Sequence, residues 1–356
     1  MVWKLRALAS AIVCIISLAT GLWPGQAQES VSFKGQTIDM LLGWAVGGGV
    51  DATGRALSPL LIKYLPGQPN IIVRYMPGAN GVIAFNYLAQ QTKPDGLTFT
   101  IGTAEQVDPF NFRKPGSYYD PRKFEYFGGI HRGGNALVIN REAEKRLYDK
   151  NAAPVIMGSV GSWPRAGNQV TLWGIKYLGW NARWVTGYAG TNDVILALHR
   201  GEVDMTATAN LYEVKDLLDS GKFRIINQSG SIENGRSGGR ADFGDVPLVT
   251  DMLAGKINDP LGQKAFKYWF DVTALDKILA VVPGTPPPIV AVYRDAFRKS
   301  VSDPEFAEIG KRITDEFMPM SYTDVESLVA ALADTPDDVL EYLNGVLASQ
   351  GVRAKN

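Results

Sequence analysis

The chain has 356 residues, 36 Lys and Arg balanced by 36 Asp and Glu, and a single cysteine, Cys14. That length can bury a large core without covalent staples and favours two domains. The balanced charge, with no basic stripe, excludes nucleic acid as the expected partner, and because Cys14 lies in the first apolar run, the rest of the chain has no thiol for a disulfide, a nucleophile or a zinc ligand.

Residues 1–27 read as a secretory signal peptide. Lys4 and Arg6 precede an apolar run from Ala7 to Thr20, and Gly25-Gln26-Ala27 closes the segment, with cleavage expected after Ala27. The run falls short of the ~20 apolar residues a bilayer span needs, and Gly21 and Pro24 follow it directly. Ala11-Ile12-Val13 before Cys14 lacks the small residues of a lipid-attachment site, so a soluble exported protein is expected.

From Gln36 onward the chain repeats an apolar run, a Gly-rich turn and a segment with apolar residues at helical spacing, the pattern of βα units around a largely parallel sheet. Thr37 to Leu42 is the first predicted strand, Gly47-Gly48-Gly49 the turn, and Leu57, Leu60, Leu61 and Tyr64 the buried stripe of the first helix, in which Pro59 predicts a kink. Ile71-Ile72-Val73 leads through Pro77-Gly78-Ala79-Asn80-Gly81 into a second helix, and Lys93-Pro94-Asp95-Gly96 turns into a strand from Leu97 to Ile101.

A second set of units starts near His131. Strands are predicted at Ala136 to Ile139, Val155 to Met157, Arg183 to Val185 and Met205 to Thr208, with helices carrying Val170, Leu172 and Trp173 and then Val194, Leu196 and Leu198. The tract from Asn227 to Gly244, rich in Gly, Ser and Arg, predicts a solvent-exposed connection. One more strand, Ile278 to Val282, precedes the C-terminal helices.

The strongest chemical signal is the set of small-residue loops between strand ends and helix starts, at 43–51, 77–81, 103–106, 158–162 and 187–192. Ligands of open α/β sheets bind beyond the carboxyl ends of the strands. Glycines there let backbone approach the ligand, and helix N-termini favour an anion by ~0.3 to 1 kcal/mol each. Asp51 is either a helix cap or a ligand contact. Arg132 and Arg165 could pair with an acidic ligand, and Trp44, Trp163 and Tyr188 could form its walls.

Other motifs carry less. Gly235-Arg236-Ser237-Gly238-Gly239 fits the G-x-S-x-G pattern of serine hydrolases, but its flanks are polar and both histidines, His131 and His199, precede Ser237. The Gly47-Gly48-Gly49 run lacks the acidic residue that a dinucleotide site places about 20 residues later. Glu202 and Asp204 follow a helix-ending glycine and read as solvated. No metal-ligand spacing occurs, so no catalytic residue, cofactor or metal is expected.

Taken together, Trp44-Ala45-Val46-Gly47-Gly48-Gly49-Val50-Asp51, Pro77-Gly78-Ala79-Asn80-Gly81 and Pro94-Asp95-Gly96-Leu97-Thr98-Phe99-Thr100-Ile101-Gly102-Thr103 resemble the substrate-binding proteins of tripartite tricarboxylate transporters, the Bug receptors. The likeness continues through Tyr119-Asp120-Pro121, Gly158-Ser159, Tyr188-Ala189-Gly190, Gly201-Glu202-Val203-Asp204, Asp245-Val246-Pro247 and Gly284-Thr285-Pro286. It implies an α/β, type II periplasmic-binding-protein fold: two lobes, 28–131 with 246–356 and 132–245, joined by crossing strands around a cleft. It also implies a periplasmic monomer that carries a small organic acid to the permease subunits of such a transporter, with a ligand-presenting sensor accessory or, from Ser237, a secreted serine hydrolase as alternatives. Carried over by position, the first lobe's ligand contacts are Trp44, Ala45, Val46, Gly47, Gly48, Asp51, Ala79, Asn80, Thr103 and Ala104. The second lobe adds Ser159, Val160, Gly161, Ser162, Tyr188, Ala189, Gly190 and Asn210. Trp44 in place of a Pro-Phe approach, Gly187 in place of a proline and the bulky Trp163-Pro164-Arg165 depart from the family pattern.

Overall fold

The computed structural model describes residues 31–352 except 48, 132, 161–162, 165, 189, 234–235 and 314–317, with the side chains of 166, 231–237 and 312–313 also left aside. The predicted signal peptide lies outside these residues.

The first half alternates strands and helices: β1 (Thr37–Leu42), α1 (Gly49–Tyr64), β2 (Asn70–Tyr75), α2 (Val82–Gln90), β3 (Thr98–Thr103), the short α3 (Ala104–Val107) and α4 (Pro109–Phe112), then β4 (Glu125–His131). The second set runs β5 (Ala136–Asn140), α5 (Glu144–Leu147), β6 (Val155–Val160), α6 (Val170–Trp173), β7 (Ala182–Tyr188), α7 (Thr191–Arg200), β8 (Met205–Thr208), α8 (Leu211–Asp219) and β9 (Phe223–Gln228). A hairpin of β10 (Ser231–Glu233) and β11 (Arg236–Gly238) follows, then α9 (Val249–Leu253), α10 (Pro260–Thr273), β12 (Lys277–Val281), α11 (Pro287–Ser302), α12 (Pro304–Ile313), β13 (Met318–Met320), α13 (Tyr322–Ala333) and α14 (Asp337–Ser349).

Two sheets result, ordered β13-β4-β12-β3-β1-β2 and β7-β6-β8-β5-β9. In each, the parallel trio is continued by one antiparallel strand: β12 runs against β3 and β4, and β5 runs against β8 and β9. Each of these strands enters its sheet just after the chain has left the other half, so the chain crosses between β4 and β5 and again between α10 and β12.

The first sheet is sandwiched by apolar faces. Phe99, Phe127, Tyr293 and Phe297 stack edge to face or tilted, with centroids 5.0 to 6.2 Å apart, and burying each ring contributes ~1.5 to 3 kcal/mol. Gly128 is required there, since a Cβ would come within 2.2 Å of the Phe297 ring. Helix α1 continues through Pro59, which lies on its exposed face.

Three expectations change. β6 extends to Val160 and β7 to Tyr188, beyond the predicted ends, so Ser159 belongs to a strand and is fully buried. The 227–244 tract is not simply exposed, because Asn227, Gln228, Ser229, Arg240 and Phe243 are all buried. The segment 246–356 does not pack on the first half alone. Tyr268 of α10 donates to Asp108 in the first half at 2.6 Å, while Trp269 packs its ring on Trp173 in the second at 6.0 Å. Beyond α14, Gln350 bonds both the Trp184 indole and the Leu172 carbonyl. Helices α10 and α14 therefore bridge the halves, and one apolar core runs through them from sheet to sheet.

Candidate functional site

A cleft of about 660 Å³ lies between the two sheets. Its walls come from the carboxyl ends of β1, β3, β6 and β8, and its floor from the start of β12 at Lys277. Three helices of nine residues or more, α1, α7 and α8, begin at its rim with Gly49, Thr191 and the cap Asn210. Their N-terminal amides place partial positive charge on the enclosed space.

Eight of the expected contacts line this cleft: Trp44, Ala45, Val46, Gly47, Thr103, Ala104, Val160 and Asn210. Trp44 packs its ring against the first core and leaves its indole Nε1 buried without a partner among the described residues. Asn210 caps α8 through the Tyr212 amide at 3.0 Å. Thr103 closes a capping box at the start of α3, with its amide donating to Gln106 Oε1 at 2.6 Å and its hydroxyl to the Glu105 carboxylate.

Other expected contacts stand elsewhere. The Ala79-Asn80 turn does not line the cleft; Gln106 Nε2 donates to the Asn80 carbonyl at 2.5 Å. Both turn residues take left-handed backbone, φ 48° and 54°. Ser159 accepts from Asn168 Nδ2 at 3.0 Å inside the second half. Tyr188 and Gly190 flank the cleft without lining it, although Thr191 next to them does. Trp163 stacks on Phe110, 5.4 Å between centroids, and joins the halves outside the cleft rather than forming its wall. Gly48, Gly161, Ser162 and Ala189, with Arg132 and Arg165, lie outside the described residues.

Asp51 does not reach the cleft. Only 3% exposed, its carboxylate accepts from the Gly47 amide at 2.8 Å, from Arg55 Nε at 2.8 Å and from the Tyr75 hydroxyl at 2.6 Å. Burial alone would raise its pKa, but these donors outweigh it and hold the carboxyl below its ordinary value.

Sequence reasoning missed the polar groups supplied by plain strand ends and crossings. Asn168 bridges Ser159 and the Ala207 amide, the latter at 3.0 Å, and Thr208 donates to Glu213 at 2.5 Å. Lys277, almost fully buried, pairs with Asp276 at 2.5 Å. No motif marks these positions; only the antiparallel entry of β12 brings Lys277 beside Thr103. Ser237, the rival nucleophile, lies on β11 of the hairpin, not on a turn between a strand and a helix. Among the described residues, no group of three or more His, Cys, Asp and Glu is placed to hold a metal ion.

The comparisons agree with this architecture. A "UPF0065 protein in gbd 5'region" of Cupriavidus necator is 27% identical over 315 residues, 85% of this chain and 86% of that one. A TctC solute-binding protein from Polaromonas superposes with a TM-score of 0.62 at 20% identity, covering 89% of this chain and all of the other. An R. palustris protein with adipate gives the same TM-score and identity over 89% and 97% of the two chains. These folds are two-lobed periplasmic binding proteins, and the two sheets and cleft here follow that plan. The profile of the tripartite tricarboxylate transporter family receptors matches residues 55–344, and the chain belongs to that family.

Proposed function

We propose that this protein is a periplasmic receptor that captures a small carboxylate between its lobes and hands it to the permease of a tripartite tricarboxylate-type transporter, without chemistry of its own. One lobe is built on the sheet of β1 to β4, β12 and β13, and the other on β5 to β9, with α10 and α14 as a shared spine. The observation that carries the reading is the 660 Å³ cleft at which strand ends and helix N-termini of both sheets meet. Such a place binds an anion through amides and hydroxyls, without requiring a dedicated salt bridge. A ligand touching both walls stabilises the approach of one lobe to the other. The adipate held by the R. palustris relative is a dicarboxylate of a size the cleft accommodates. The signal-like residues 1–27 support export. Serine hydrolysis is not part of this reading, since Ser237 lies inside a hairpin strand and not on a strand-to-helix turn.

The test is calorimetry and thermal shift against adipate and other di- and tricarboxylates. A binder is expected to saturate at one site per chain, and Ala209→Trp, which fills the cleft wall, should abolish its binding while the protein stays folded. Full affinity in Ala209→Trp would place the ligand elsewhere, and no response to any acid would remove the carboxylate from the proposal.

A further inference from the structure

We propose that Asp51 is a positioning residue for the ligand cleft, holding the loop between β1 and α1 in its binding shape through the Gly47 amide. This rests on reading the cleft as the ligand site. The loop supplies Trp44, Ala45, Val46 and Gly47 to the cleft, yet it is open to water, with Val46 66% exposed. Gly47 takes left-handed backbone, φ 82°, a conformation that glycine adopts without steric cost but is not confined to. A stretch of this kind needs an external tie to hold one shape. Asp51 supplies it from inside α1. One carboxylate oxygen takes the Gly47 amide, and the other is gripped by Arg55 and by Tyr75 at the end of β2. Arg55 also donates to Tyr75 at 2.5 Å, closing a triangle. Loop, helix and edge strand therefore meet at one buried anion.

The arrangement also assigns the Gly47 amide to the protein. A ligand anion must find its donors elsewhere on the rim, so Asp51 acts on binding only through the loop it shapes. A negative group placed just behind an anion site would otherwise oppose the ligand. Here its charge is taken up by Arg55, the Tyr75 hydroxyl and the Gly47 amide.

The experiment is hydrogen exchange on peptides covering 43–51, corrected for intrinsic rates, in the full chain and in Asp51→Asn and Tyr75→Phe. Loss of a charge-assisted bond should speed exchange at the Gly47 amide about tenfold in Asp51→Asn and less in Tyr75→Phe, while peptides of the second sheet stay unchanged. Exchange in the wild type should also quicken as pH falls through the lowered pKa of Asp51, and the Asn variant should show no such step. With adipate as probe, Asp51→Asn should bind about tenfold more weakly, in keeping with the loss of one charge-assisted bond. Unchanged loop exchange in both variants overturns the positioning role, as does adipate affinity that survives a loosened loop. If Asp51→Asn fails to fold, unchanged Gly47 exchange in Tyr75→Phe overturns it alone. If the wild type ignores every carboxylate but the exchange pattern appears, the carboxylate reading falls and the tie between Asp51 and the loop stands.

Discussion

Two loops face each other across the cleft, and each is held from behind by one buried charge of opposite sign. In the first half the anion Asp51 holds an amide, that of Gly47, four residues away. In the second half the cation Arg240 holds a carbonyl, that of Ala209, at 2.7 Å and 31 residues away. Arg240 is 4% exposed, packs over the Phe243 ring at 4.5 Å, and its amide donates to Gln228 at 2.7 Å. Asp51 shares its charge with Arg55, which lies 2.8 Å from it and reaches solvent, and Arg240 shares its own with the exposed Asp242 at a longer 3.5 Å. The first loop is therefore fastened from four residues away and the second from 31, each by a buried charge whose counter-ion reaches water.

Breaking the Arg240 side should have the largest effect, since its long side chain is almost fully buried. Arg240→Ala is expected to cost about 3 to 4 kcal/mol, because it strands the Ala209 carbonyl and leaves a cavity beside Phe243. Urea unfolding measures it, and a loss below that of Asp51→Asn would reverse the contrast drawn between the loops.

A second carboxylate sharpens the comparison. Asp108, the cap of α4, accepts only neutral donors, the Phe110 amide at 2.8 Å and the Tyr268 hydroxyl at 2.6 Å. Burial dominates there and pushes its pKa up to about 6. A raised carboxyl stabilises the fold fully at pH values below its unfolded value near 4, and that contribution is lost as pH rises through 6. Asp51, whose value is lowered, behaves in the opposite sense: its contribution is present above pH 4 and is lost as acid protonates it. Between pH 4 and 6.5 the wild type should therefore lose about 2 kcal/mol relative to Asp108→Asn. Equal slopes for the two proteins in urea titrations would show that Asp108 does not titrate in this window.

The smallest effect is expected at the mouth. The Tyr212 hydroxyl donates to the Lys311 carbonyl at 2.7 Å, a contact from the second half to α12. Tyr212→Phe removes one exposed bond and should cost under about 1 kcal/mol, while enlarging the radius of gyration of the free protein in X-ray scattering. An unchanged radius would mean that this bond does not restrain the opening.

The same contrast explains what could be read from the sequence. The strand 37–42, the glycine loop at 43–51 and the small-residue strand end at 103–106 are legible because their signals lie within a few residues of one another, as the four-residue step from Gly47 to Asp51 does. Arg240 was not, because a polar Gly-rich tract gives no sign that one of its arginines turns inward to meet a carbonyl 31 residues upstream. Lys277 and Asp276 escaped notice for the same reason: their place at the cleft is set by which strand β12 joins. The Ala79-Asn80 turn reads as a cleft loop, yet it is tied to Gln106 and does not line the cleft. The lengths of β6 and β7 were underestimated because Gly158 and Gly187 read as turn residues. In the structure both continue a strand, Gly187 at a register shift.

Helices α10 and α14 have a consequence for the order in which the molecule can be made. Gln350 meets Trp184 across 166 residues of chain and Leu172 across 178, so the apolar core around Trp173 and Trp269 stays incomplete until α14 has been made. Contacts this remote in sequence form late, since the intervening chain must be ordered first. The second sheet therefore cannot complete its core while the growing chain still lacks α14.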